Sequence, residues 1–64
     1  MKLNGSTVSL SMNQTLYDFL ESQKFDITTI AVEHNGKIVP RISYKNVILK
    51  DEDTLEVVRF VGGG

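Results

Sequence analysis

Thr54-Leu55-Glu56-Val57-Val58-Arg59-Phe60-Val61-Gly62-Gly63-Gly64 closes the sequence, and this stretch decides how the rest is read. Its first eight residues are rich in β-branched and apolar side chains and predict a strand over 54–61. Period-two alternation puts Leu55, Val57 and Arg59 on one face and Glu56, Val58 and Phe60 on the other. Three glycines then follow a strand with no turn to make. They predict a flexible tail over 62–64 behind a single domain over 1–61.

Working back from that strand, Asp51-Glu52-Asp53 reads as a solvated polar turn. Val47-Ile48-Leu49 fits a short strand or bridge, and 41–46 carries only a weak, irregular signal. Lys37-Ile38-Val39 is a short strand stopped by Pro40, which has no N–H to give a ladder. Ile27-Thr28-Thr29-Ile30-Ala31-Val32 is β-branched and strand-like, and Asn35-Gly36 marks a tight turn between these two runs. A second Asn-Gly at Asn4-Gly5 separates strands expected at 1–4 and 6–11, where Val8, Leu10 and Met12 alternate.

Between these strands the period changes. Leu16, Phe19 and Leu20 fall at i, i+3 and i+4, one face of a helix over about 15–23. Thr15 with Asp18 three residues on makes a weak capping box, and Lys24 suits the negative end of the helix dipole. So short a helix needs a sheet to pack on. The order strand, strand, helix, strand, strand, strand predicts an α+β fold: one mixed sheet of five or four strands with one helix across it. Leu55 and Val57 are the expected contacts for the helix face, which leaves Val58 and Phe60 on the uncovered side.

Composition narrows the chemistry. The chain has 64 residues, 41% of them apolar, and no cysteine. That rules out a disulfide framework, a thiolate metal site and a catalytic thiol. Seven basic against eight acidic residues leave a formal net charge of −1, so no basic excess points to nucleic acid or an anionic membrane. No apolar run is long enough to span a bilayer, and residues 1–4 do not lead into a signal-peptide core. A cytoplasmic location is expected.

Candidate catalytic groups are few. His34 is the single histidine and reads as a half-exposed residue at the core edge. The carboxylates of 51–53 have no second ligand cluster, so no metal site is expected. Tyr17, Phe19 and Phe25 fit core packing better than base stacking. The sequence ends instead on an α-carboxylate carried by glycines. Such a carboxylate is ionised at neutral pH, with a pKa near ~3.5. It can attack the α-phosphate of ATP, and an arm without side chains can thread into another protein's active site.

The whole chain resembles the ThiS family, the sulfur carrier proteins of thiamine thiazole synthesis, which share the β-grasp fold of ubiquitin. The resembling pieces are Met1-Lys2-Leu3-Asn4-Gly5, Gln14-Thr15-Leu16 with Phe19-Leu20, Ala31-Val32-Glu33-His34-Asn35-Gly36, and Ile38-Val39-Pro40-Arg41. They continue with Asp51-Glu52-Asp53, Leu55-Glu56-Val57-Val58 and Val61-Gly62-Gly63-Gly64. Where the family's loop reads Asp-Gly-Asp, Glu52 here requires a turn without positive φ. The resemblance implies that Gly64 is adenylated by a ThiF-type adenylyltransferase and converted to a thiocarboxylate, with Gly62 and Gly63 as the threading tail. Sulfur would come from a cysteine-derived donor system and pass to thiazole synthase. ATP belongs to the activating enzyme, no cofactor is expected on the chain, and the chain is a carrier rather than an enzyme.

Beside the tail, the exposed apolar residues Val58, Phe60 and Val61 are expected to dock partners. Arg41 and Arg59 are candidates to pair with partner carboxylates. Three other functions fit the same features: a molybdopterin-synthase small subunit, a ubiquitin-like modifier, and a non-covalent β-grasp module.

Overall fold

The computed structural model describes residues 1–60. Five strands, β1 (Lys2–Leu3), β2 (Ser6–Thr7), β3 (Ile30–His34), β4 (Lys37–Val39) and β5 (Thr54–Arg59), form one sheet in the order β2-β1-β5-β3-β4. The pair β1–β5 is parallel and the others antiparallel, so the sheet is mixed, as expected. The last strand therefore lies in the middle. β1 flanks it at Thr54 and Leu55 and β3 from Leu55 to Arg59, so its entry is held on both sides and its last residues by β3.

Both Asn-Gly pairs make the turns read from the sequence. Asn4 and Gly5 lie at φ 50° and 86°, Asn35 and Gly36 at 52° and 86°. Two consecutive positive φ values define the type I′ hairpin turn, whose twist matches the strands.

The helix α1 (Leu16–Ser22) begins at Thr15, whose Oγ1 accepts from the Asp18 N–H at 3.0 Å. Leu16, Phe19 and Leu20 are buried with Ile30, Val32, Leu55 and Val57 in one apolar cluster. That confirms Leu55 and Val57 as the strand face beneath the helix. The helix ends at Ser22 with Gln23 as its cap, in line with the expected 15–23. Lys24 lies beyond the helix at φ 63°, donating to Glu21 C=O, while Phe25 donates to Leu20 C=O, both at 3.0 Å. These two bonds are a Schellman cap, with Lys24 in the left-handed position that glycine usually takes.

Three expected segments differ. Of the strand predicted over 6–11, Ser6–Thr7 forms β2, and Val8 continues the pairing: its N–H donates to Met1 C=O at 2.9 Å and its C=O accepts from the Met1 ammonium at 3.2 Å. Leu10 packs against the core outside any strand, and Met12 is exposed; from Leu10 on, period two reported burial, not pairing. The strand predicted from Ile27 starts at Ile30, because Asp26 takes the Thr28 N–H and hydroxyl and winds Ile27–Thr29 into a 3-10 turn. Residues Arg41–Asn46, read as irregular, form a 3-10 helix that packs on α1 and buries Tyr44. The 47–49 run makes a single bridge, Thr15 to Ile48. Of the strand predicted over 54–61, Thr54–Arg59 is formed and Val61 lies outside the described residues.

Candidate functional site

The outer face of the sheet, away from the helix, is built by β3, β4 and β5. On β5, Leu55 and Val57 are buried while Val58 is 61% exposed. The next outward residue, Phe60, is 57% exposed. The 3-10 helix Arg41–Asn46 does not cover them, because Tyr44 draws it to the opposite layer. Ala31 faces Val58 across the β3–β5 ladder, and Ile38, also exposed, faces Glu33 across β3–β4. The face is thus partly apolar and open.

The backbone holds this face to its last described residue. Phe60 N–H donates to Thr29 C=O at 2.7 Å. On the other side Asn4 extends the short β1: its Oδ1 accepts from Val57 N–H at 2.8 Å, and its Nδ2 donates to Val57 C=O at 3.3 Å. Val61, Gly62, Gly63 and Gly64, assigned from sequence to docking, threading and adenylation, lie outside the described residues.

The turn entering β5 corrects the reading of 51–53. Asp53 is 5% exposed, not solvated. Its carboxylate accepts from His34 Nε2 at 2.8 Å, from Asn35 Nδ2 at 3.0 Å and from Lys50 N–H at 2.9 Å. Burial pushes the Asp53 carboxyl up, but the hydrogen bonds from His34, Asn35 and Lys50 outweigh it and hold the group below its ordinary value. Asn35 Oδ1 also accepts from Thr54 N–H at 2.9 Å. His34 is thereby a structural partner of Asp53, tying the β3–β4 turn to the start of β5. Glu52 is not among the residues with positive φ, as its side chain requires.

Asp26, near the far end of β5, is also held below its ordinary value. The main cause is the hydrogen bond from the Thr28 hydroxyl, with Thr28 N–H and the Arg59 charge adding to it. Among the described residues, no group of three or more His, Asp or Glu side chains could hold a metal ion. No helix among them is long and apolar enough to cross a membrane. A shallow open cleft between residues 10–13 and 49–51 adjoins the entry to β5, not its Phe60 end.

A family model described as the ThiS family matches residues 1–64. The chain belongs to the ThiS family. It is 37% identical over 65 residues to the sulfur carrier protein ThiS of Bacillus subtilis, covering all of this chain and 98% of that one. It is 40% identical over 62 residues to the thiazole synthase of Paramagnetospirillum magneticum. That alignment takes in 97% of this chain and only 19% of the synthase, so the chain spans about a fifth of that relative's length. Among solved structures, the thiamine biosynthesis protein ThiS of Geobacter metallireducens superposes with a TM-score of 0.80 at 30% identity, covering 98% of this chain and 96% of that one. The architecture shared with that ThiS structure is the ubiquitin-like β-grasp.

Proposed function

We propose that the protein is a sulfur carrier of thiamine biosynthesis whose reacting group is the α-carboxylate of Gly64. The observation that carries this reading is the match to the B. subtilis sulfur carrier along the full length of both chains. A carboxylate oxygen of Gly64 attacks the α-phosphorus of ATP on a ThiF-type adenylyltransferase. Pyrophosphate leaves and an acyl-adenylate forms. Sulfide released by a cysteine-derived donor then attacks the acyl carbon and displaces AMP, which leaves a thiocarboxylate. Thiazole synthase receives the sulfur. The similarity to a stretch of a larger thiazole synthase supports that partner. These reactions place the protein in the cytoplasm, with its ATP.

The domain to residue 61 acts as the handle, and Gly62 and Gly63 as the arm. β5 supplies a base for the arm, being paired with β3 through Arg59 and held at Phe60 by Thr29. Four residues follow Phe60, and four extended residues reach at most about 14 Å. The partner's nucleotide must therefore sit close to the carrier surface, which makes Val58, Phe60 and Val61 the docking residues. Glycine suits the arm because a side chain would fill a channel that has to admit backbone alone.

Pyrophosphate release by the adenylyltransferase tests the assignment. It should depend on the carrier and vanish when one residue is appended after Gly64. Release that persists with the appended residue rejects Gly64 as the reacting group.

A further inference from the structure

Glu33 and Glu56 are direct partners in the antiparallel β3–β5 ladder. Glu56 stands between buried Leu55 and Val57, and Glu33 beside buried Val32, so both point to the outer face of the sheet. Two like charges occupy one cross-strand position, an arrangement that costs stability. Among the described residues no Lys or Arg nitrogen lies within 4.0 Å of either carboxylate, so neither glutamate has a salt-bridge partner there.

Their neighbours give the pair its meaning. Val58 is two residues beyond Glu56 on the same face, about 7 Å along the strand. Ile38 lies across from Glu33, and Ala31 across from Val58. In water the repulsion is screened. Beneath a docked protein it is not, and two desolvated carboxylates without a counter-charge oppose binding. Any partner that covers Val58 and Phe60 also meets this pair.

We propose that the adenylyltransferase surface docking on Val58 and Phe60 carries a basic side chain, an arginine, seated between the carboxylates of Glu33 and Glu56. This rests on the sulfur-carrier reading above. A guanidinium presents several planar donors and can bind both carboxylates at once, where an ammonium acts as a point charge. The apolar residues then supply contact area, and the acid pair selects the partner and its register, since a surface without the cation is rejected. The pair also raises the encounter rate with a basic surface.

The test compares wild type, the double variant Glu33→Gln/Glu56→Gln and the single variant Glu56→Lys as substrates in the pyrophosphate-release assay. Both variants should raise KM for the carrier about tenfold or more, the usual scale for losing a charge-paired contact, with kcat at saturation unchanged. Added salt should raise the wild-type KM and barely move that of the double variant. Melting temperatures should equal or exceed wild type, since a repulsion has been removed. Wild-type KM and salt dependence in both variants would overturn the proposal while leaving the carrier function standing. Melting below wild type would overturn the like-charge strain on which it rests. A wild-type chain that is never adenylated defeats the carrier reading itself, and this inference with it.

Discussion

His34 Nε2 lies 2.8 Å from the Oδ2 of Asp53, a carboxylate only 5% exposed. The contact joins the β3–β4 turn to the loop that delivers the chain into β5. Asn35 and Lys50 N–H complete the cage. The histidine therefore helps set the entry of the strand whose far end carries the tail.

Stability should fall with acid because of this cage. The Asp53 carboxyl is held below its ordinary value in the fold. Its contribution is thus fully present above the unfolded value of about 4 and is lost as pH falls through the lower folded value. Urea unfolding between neutral pH and strong acid should show wild type losing stability in that window and Asp53→Asn losing less. Parallel profiles would deny the carboxylate this role. At neutral pH, Asp53→Ala should cost about 1–3 kcal/mol, from buried donors left without an acceptor.

Lys24 is a place where the sequence can be improved. Its backbone is left-handed, at φ 63°, where a Cβ costs about 1 kcal/mol. Lys24→Gly should keep both Schellman bonds and raise stability by about that amount, less the glycine's extra freedom when unfolded. Thermal melting checks it, and a lower melting temperature contradicts it.

The Asn4 amide replaces a missing ladder step between β1 and β5. Asn4→Gly keeps the positive φ of the turn, removes two bonds to Val57 and should cost about 1–2 kcal/mol. Hydrogen exchange should report the loss locally, at the Val57 amide, before global unfolding sets in. Undiminished protection at Val57 would show that the side chain is dispensable.

Val58 and Phe60 should behave as surface, not core. Val58→Ser and Phe60→Ser are expected to leave the protein folded, at a cost of about 1 kcal/mol or less. The same variants should raise KM for the adenylyltransferase severalfold. Calorimetry and the pyrophosphate assay together decide this: unfolded variants would return both residues to the core.

Some of this was legible in the sequence because a local rule sufficed. Asn4-Gly5 and Asn35-Gly36 dictate positive φ by themselves, Thr15 caps its own helix, and alternation sorts Leu55 and Val57 from Val58. Other features depend on distant partners. Asp53 looks solvated beside Asp51 and Glu52, and only the fold brings His34, 19 residues away, to its carboxylate. The 3-10 helix at Arg41–Asn46 has no periodic signal, because one buried residue, Tyr44, holds it to α1. Ile27–Thr29 misled by β-propensity: Asp26 offered its carboxylate to Thr28 and won locally. The exposed outer face was visible as alternation, but the opposition of Glu33 and Glu56 needed the strand register.

The central claim concerns the chain terminus, and an intact-mass spectrum tests it most directly. The protein as cells make it would be incubated with ATP, the ThiF-type adenylyltransferase and a sulfide source, then fragmented to locate any change. The predicted result is a chain ending at Gly64 that gains the mass of one oxygen-to-sulfur exchange on that residue. An unchanged mass, or sulfur located on any other residue, would contradict the account.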